Sequence, residues 1–509
     1  MKKTVLIFVF LLSFCCVAQT SKAEFGSKVF SSTGVFTNNN NEAIGYYNIS
    51  RTNKKNKDKT YDYLLIIRDN NFNPIAEKII AFSKWSIFIG SAFNGDYLAL
   101  CIYDMKEGRY MIKVFDRQSN MYLDKTLAYK SKKEVSKTKK NIYLGEFLQS
   151  VDFVALKNQG FILTYPGDYG VVSRGGFNTK AALIKTEKNV SKNIIELPVE
   201  RKHFDKGTIL RLEVLASNNK HIALKKLDNS YSINIFDANV GKLNFTTKEK
   251  ELDSIYINKA FFKDSGNLVV IGNYFKDKKG RHNNESLGFF YQEITPKGNV
   301  VKLHKNTWEN VLSEFPNIKE NNKLKDMGYL YLHNLLEHNN GYLAIFETYK
   351  LTTSGKKILL GNNYDSKQLT TNDAFLFNFD KEFKVINIKR IDKQISRWQG
   401  ASSRYTARYN AQRAARFGGF DFLYHQKDVN RNRFYFYFYD YERKKQEKNG
   451  FAIKTAIFED GEFFEDKLTI ASKSSEHKVL PAEIGEILVL EYFKKEEKFN
   501  IRKERFSLD

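Results

Sequence analysis

Apolar runs separated by turn-forming residues recur along the chain in one repeated cadence. An apolar run meets an Asn/Gly turn, then come a second run, a polar turn, a third run, a tight turn and a short strand. The clearest copy predicts a first strand over 85–93, a turn at Asn94-Gly95-Asp96, a second strand over 97–103 and a turn over 105–109. A third strand over 110–115 then ends at Asp116, and a fourth covers 121–127. The first turn returns as Lys157-Asn158-Gln159-Gly160, Ser217-Asn218-Asn219-Lys220, Lys263-Asp264-Ser265-Gly266 and His338-Asn339-Asn340-Gly341. Asn and Gly tolerate the positive φ that tight hairpins need. The third strand ends in Phe-Asp again at Phe236-Asp237 and Phe379-Asp380, where the aspartate can cap a turn through its own side chain.

This template yields eight units, at 25–80, 85–127, 151–197, 209–248, 256–304, 329–390, 420–470 and 478–509, the third and fourth being the least regular. Short connections make the strands antiparallel. Yet the second strands are apolar on both faces, as in Leu268-Val269-Val270-Ile271, Ile487-Leu488-Val489-Leu490 and the aromatic run 434–439. Antiparallel strands normally alternate because one face meets water. Strands covered on both faces with few helices to cover them predict sheets packed on sheets, and radial four-stranded blades meet that demand. The expected fold is therefore all-β, a single β-propeller domain over 25–509 with eight blades. Seven blades and tandem β-sandwiches are the alternatives. The last unit lacks a fourth strand, which the stretch 25–36 is expected to supply, because an unclosed sheet leaves an unpaired edge.

The first residues differ in kind. Lys2 and Lys3 precede an apolar run over 5–17 that is too short for a bilayer anchor, and Cys16-Val17-Ala18-Gln19 suits a signal peptidase cutting after Ala18 or Gln19. A signal peptide over 1–18 predicts a secreted or periplasmic protein with no transmembrane segment after its removal. Phe14 before Cys15 disfavours lipoprotein anchoring. Of the three cysteines only Cys101 then remains, so no internal disulfide forms, and its apolar run predicts a core position.

The stretch 329–350 (YLYLHNLLEHNNGYLAIFETYK), followed by 373–385 (DAFLFNFDKEFKV) and the ending 486–508, resembles an uncharacterised family of secreted bacterial proteins with propeller-like repeats. That family has this overall length and no assigned function. The resemblance implies an architecture and no activity.

Catalytic motifs are missing from the sequence. It holds no Gly-x-Ser-x-Gly elbow, Walker loop or Gly-x-Gly-x-x-Gly, so no enzyme class and no cofactor is predicted. His333, Glu337 and His338 resemble a zinc motif, but they fall on a predicted strand and turn, where the spacing does not converge on a metal. An enzymatic alternative is a glycan-active propeller with carboxylates at its central channel, whose members need not be close in sequence.

Charge adds the one sharper expectation. The net charge is +24. Lysines cluster in turns between second and third strands: Lys54, Lys55, Lys57 and Lys59; Lys276, Lys278, Lys279 and Arg281; Lys356 and Lys357; Arg443, Lys444, Lys445 and Lys448. The crossover 130–140 carries six lysines and one glutamate. The crossover 389–416 holds Lys389, Arg390, Lys393, Arg397, Arg404, Arg408, Arg413 and Arg416 against Asp392. From Ser403 it reads as a serine-capped, alanine-rich helix ended by Gly418-Gly419, a helical insertion near 401–417. Arg404, Arg408, Gln412 and Arg416 share one i, i+4 row, with Tyr405 and Tyr409 beside them. Arginine forks bind phosphate, sulfate or carboxylate, and aromatic neighbours stack on sugars or bases. Arg397, Arg404, Arg408, Arg413, Arg416, Tyr405 and Tyr409 are thus the candidate ligand residues of a monomeric, non-catalytic binding or scaffold protein. Its expected partner is a polyanion: an acidic glycan, lipopolysaccharide or extracellular nucleic acid. The competing reading of the same residues is a solvated basic rim, or a helix that plugs the propeller through blade contacts.

Overall fold

The fold, taken from a computed structural model, is an eight-bladed β-propeller of four-stranded antiparallel blades. The structure describes residues 19–22, 33–128, 151–166, 179–186, 193–199, 211–227, 231–247, 254–277, 279–280, 286–311, 318–319, 323–324, 328–353, 367–403, 405–440, 450–496 and 498–507. The signal-peptide segment, the crossover 130–140 and the lysine turns at 354–366 and 441–449 lie outside them. The chain divides into two compact units. Unit 1 comprises residues 1–84 and 422–509 and holds blades 1, 7 and 8. Unit 2 comprises 85–421 and holds blades 2 to 6.

The predicted cadence matches the strands closely. Blade 2 runs through Ser86–Phe93, Leu98–Asp104, Arg109–Phe115 and Met121–Ala128. Asn94 makes its first turn, its Oδ1 accepting from the amides of Asp96 (3.1 Å) and Tyr97 (2.8 Å). Asp116 closes the third strand by accepting from the amides of Gln118 (2.9 Å) and Asn120 (2.8 Å). Asp237 and Asp380 do the same for the amides of Asn239 (2.7 Å) and Lys384 (2.8 Å).

The doubly apolar second strands are explained by where successive residues go. In Leu268–Phe275, Leu268 and Val270 enter the core shared with blade 4, while Val269 and Ile271 enter the core shared with blade 6. In Glu486–Phe493, Ile487 and Val489 pack with Tyr435 and Tyr437 of blade 7, and Leu488 and Leu490 pack with Tyr46 of blade 1. Each such strand serves two inter-blade cores, so neither face is polar. Cys101 is fully buried in the core between blades 2 and 3, and burial pushes its thiol well up.

Two expectations shift in position. The strand completing blade 8 is Gln19–Lys22, which pairs with Lys498–Arg505. The expected donor stretch, 25–36, instead leads into Thr33–Thr37, the first strand of blade 1. The crossover helix spans Ala407–Arg416, and its cap is Thr406 in place of Ser403. Thr406 Oγ1 accepts from the Tyr409 amide at 3.3 Å. As expected, Gly418 ends the helix, taking φ +67°, while the Gly419 amide donates to the Ala414 carbonyl at 2.7 Å. Among the described residues the only other helix of four residues or more is Trp308–Val311.

Candidate ligand-binding cavity of the five-blade unit

First strands of successive blades in unit 2 lie against one another. Four of these five strands carry a β-bulge at nearly the same place, with Ile89, Leu215, Asn258 and His333 as the extra residues. A bulge reverses the alternation beyond it and re-aims side chains. In Ile255–Phe262 the effect is direct. Ile255 and Ile257 face the core with blade 4, and so do Ala260 and Phe262, one position out of phase, which takes Lys259 off that face. The bulge needs Gly272 opposite it, because a Cβ there would lie 1.9 Å from the Tyr256 carbonyl oxygen.

The bulged stretches and the crossover helix line an open cavity of about 500 Å³. The helix is seated by its buried face, where Ala411 and Ala414 pack on Tyr349, Leu369 and Phe420. Fully buried Asn410 fastens the preceding loop. Its Oδ1 accepts from the Ser402 amide (2.8 Å), and its Nδ2 donates to the carbonyls of Ser402 (2.9 Å) and Tyr405 (3.1 Å).

A buried ionic network holds both ends of this crossover to blade 6. Glu347, on Gly341–Thr353, takes the Lys393 ammonium at 2.9 Å on Oε1, and the Asp421 amide donates to the same oxygen at 3.1 Å. Its Oε2 lies 3.1 Å from Nε2 of the bulge residue His333. Lys393 also pairs with Asp421 at 2.5 Å, and Asp421 accepts from Thr371 (3.1 Å) and Ser396 (2.9 Å). Burial alone would raise the Glu347 carboxyl, but the Lys393 ammonium and the His333 contact outweigh it and hold it at about 2. Burial, reinforced by Glu347, carries Asp421 up to about 6 against the pull of Lys393. Burial works against the Lys393 charge, yet the two carboxylates win and raise its pKa. Burial lowers His333 despite Glu347. Lys393 was expected on a basic surface and is instead inside. Arg390 likewise is tied to Asp373 (2.7 Å) and Asp392 (2.8 Å).

The six described candidate residues do not form one surface. Arg408 and Arg416 line the cavity together with Gln412, as their shared row requires. Arg413 points elsewhere, its guanidinium 5.4 Å from the Tyr405 ring and 5.9 Å from the Trp398 ring. Tyr405 and Tyr409 pack on each other with ring centroids 4.6 Å apart. Arg397 is exposed on Ser396–Trp398, opposite Thr370. Arg404 lies outside the described residues. Of the lysine turns, Lys54, Lys55, Lys57, Lys59, Lys276 and Lys279 are exposed, while Lys278 and Arg281 lie outside the described residues. His338 bonds Asn378 Oδ1 at 3.1 Å through Nε2.

Within the cavity the carboxylates are already engaged. Glu213 pairs with Lys225, and Asp152 with Arg416 at 3.4 Å. The Arg408 guanidinium stacks on the Tyr256 ring at 4.3 Å, and its buried Nη1 has no hydrogen-bond partner. The Lys259 side chain lines the same cavity with neither a hydrogen bond nor an ion pair among the described residues. Burial and then the Lys225 ammonium push Lys259 below the ordinary lysine range, with Glu213 pulling the other way. Sequence reading missed Lys259, because only the bulge at Asn258 brings it here. A second cavity, of about 720 Å³ in unit 1, is edged by the exposed Arg431 and Arg505.

No curated protein matches the sequence. Similar solved structures include BamB from Moraxella catarrhalis, at 7% identity over 96% of this chain and 100% of that one, with a TM-score of 0.33. Sqt1 from Saccharomyces cerevisiae is similar at 10% identity over 93% and 96%, with a TM-score of 0.35. Prolyl oligopeptidase B from Galerina marginata is similar at 8% identity over 89% and 56%, with a TM-score of 0.38. The model of the family of unknown function DUF6770 matches residues 1–507, and the chain belongs to that family.

Proposed function

We propose that this protein is an exported, non-catalytic binding protein whose unit 2 cavity takes the anionic group of an acidic saccharide. The observation that carries the reading is the pair of uncompensated cations, Lys259 and Arg408, in a cavity whose two carboxylates are neutralised by Lys225 and Arg416. A buried charge without a partner is costly, so an incoming anion is favoured there. The volume of about 500 Å³ falls within the roughly 300–1,000 Å³ of ligand pockets. A polymer would enter by one residue or one end.

Export rests on the charged and apolar order of residues 1–18, and cleavage after Ala18 would leave the Gln19–Lys22 strand intact. The glycan-hydrolase alternative needs one carboxyl free to carry a proton, which the two neutralised carboxylates do not offer.

The test is calorimetric titration with oligogalacturonate, neutral oligogalactose and single-stranded DNA across a salt series. Preferential, salt-sensitive oligogalacturonate binding, lost in Arg408→Gln, supports the reading. Equal binding by the variant, or a preference for the neutral sugar, overturns it. A preference for DNA transfers the site to nucleic acid.

A further inference from the structure

Lys259 has a second chemical property besides its charge. An amine acts as a nucleophile when it is desolvated or set beside another cation, because both favour the neutral form. Lys259 meets both conditions. It lies in the cavity, is partly buried, has no ion-pair or hydrogen-bond partner, and neighbours Lys225. Lys225 itself is not available, being held by Glu213 and lying 5.1 Å from the Tyr256 ring centroid. The other titratable and charged groups facing this region are His333, whose pKa burial lowers, Arg408, and the Asp152–Arg416 pair.

We propose that Lys259 is a reactive amine that condenses reversibly with the carbonyl carbon of an oxo acid, whose carboxylate is held by Arg408. The carboxylate half of this inference rests on the anion-binding reading; the amine half does not. The Lys259 Nζ lone pair forms a bond to the carbonyl carbon while the C=O π pair moves to oxygen, which takes a proton. Nitrogen gives up a proton, the carbinolamine loses water, and a C=N bond is left. No oxidant or reductant is required, and hydrolysis reverses the step.

The experiment incubates the full chain at pH 7 with pyruvate or with the uncharged acetone, each with cyanoborohydride, and maps modified lysines by peptide mass spectrometry. Cyanoborohydride delivers hydride to the imine and fixes it as a secondary amine. Lys259 is expected to label several-fold faster than exposed lysines such as Lys276, because a lowered pKa raises the share of free amine at pH 7. Lys225→Met should slow it, because Glu213 is then released and the neighbouring positive charge is gone. Lys259→Arg should abolish that modified peptide and leave the others.

Labelling of Lys259 no faster than Lys276 in both arms overturns the proposal, whatever anions bind. Equally fast labelling by acetone and pyruvate upholds the amine and refutes the Arg408 contribution. A pyruvate preference lost in Arg408→Gln upholds both.

Discussion

Replacing Lys393 by methionine tests the network that holds the crossover. Lys393 and Glu347 are both fully buried, and Asp421 nearly so. The substitution leaves two carboxylates facing each other without a cation. They cannot both stay ionised, and Asp421, already raised to about 6 with Lys393 present, takes the proton. Keeping a carboxyl protonated at pH 7 costs about 1.36 kcal/mol for each of the roughly three pH units above an unfolded carboxyl, near 4 kcal/mol in all. That agrees with the about 3–5 kcal/mol seen when one partner of a buried pair is removed. The sign follows from linkage. In the variant the folded state binds the proton that the unfolded state has released, so stability falls as pH rises. The variant should lose about 2–3 kcal/mol between pH 5 and pH 7 against about 1 kcal/mol for the parent, whose Asp421 releases its proton at about 6, so the penalty should shrink by about 1–2 kcal/mol at pH 5. In the parent protein the Asp421 contribution has the same sign from pH 3.8 to about 6, whereas Glu347, lowered to about 2, loses its contribution as pH falls below 4.5. The assay is urea unfolding at both pH values, read through the unit 2 residue Trp398, with Lys276→Met as an exposed control. Trp398 is chosen because a chain of two units need not unfold in one step. A penalty under about 1 kcal/mol at pH 7, or one of equal size at pH 5, would refute the reasoning.

Two glycines beside bulges should respond in opposite ways. Gly272→Ala sets a Cβ 1.9 Å from the Tyr256 carbonyl oxygen and should cost about 2 kcal/mol or more. Gly90→Ala meets nothing within 4 Å and should be close to neutral. Similar melting temperatures for the two variants would contradict the bulge argument. Deleting residues 19–22 removes the strand beside Lys498–Arg505 and a few backbone hydrogen bonds, each worth about 0.5–1.5 kcal/mol. The deletion should destabilise unit 1 and promote association through the opened edge. It should leave oligogalacturonate binding in unit 2 unchanged, and parallel loss of both would count against that separation.

The blades were legible because each is a local object. Turn residues such as Asn94 and Asp116 act on amides two to four positions away, and the doubly apolar run Leu268–Ile271 states that its strand is covered on both faces. The helix was legible for the same reason, down to its Gly418 stop, but its start was displaced because two cap-forming residues, Ser403 and Thr406, compete within three positions. Of the row Arg404, Arg408, Gln412 and Arg416, the three described members lie on one face, since helical spacing alone decides it.

What the sequence hid is what depends on distance or on a break in periodicity. Lys393 looks like one more cation in a basic crossover, and nothing local distinguishes it from Lys389. Its burial is decided by Glu347, 46 positions earlier on another strand, and by Asp421 at the far end of the same crossover. Lys259 is hidden differently. Regular alternation would put it beside Ile257 on the core face with blade 4, and one extra residue, Asn258, moves it into the cavity. Both devices act on the same place. The bulge at His333 delivers its ring to Glu347, Glu347 fixes the two ends of the crossover, and the crossover sets Arg408 over Tyr256 beside Lys259. A mutation in the network should therefore be felt as lost anion affinity without touching any cavity cation. That is the dependence expected of a binding site built on blade edges and closed by a single fastened segment.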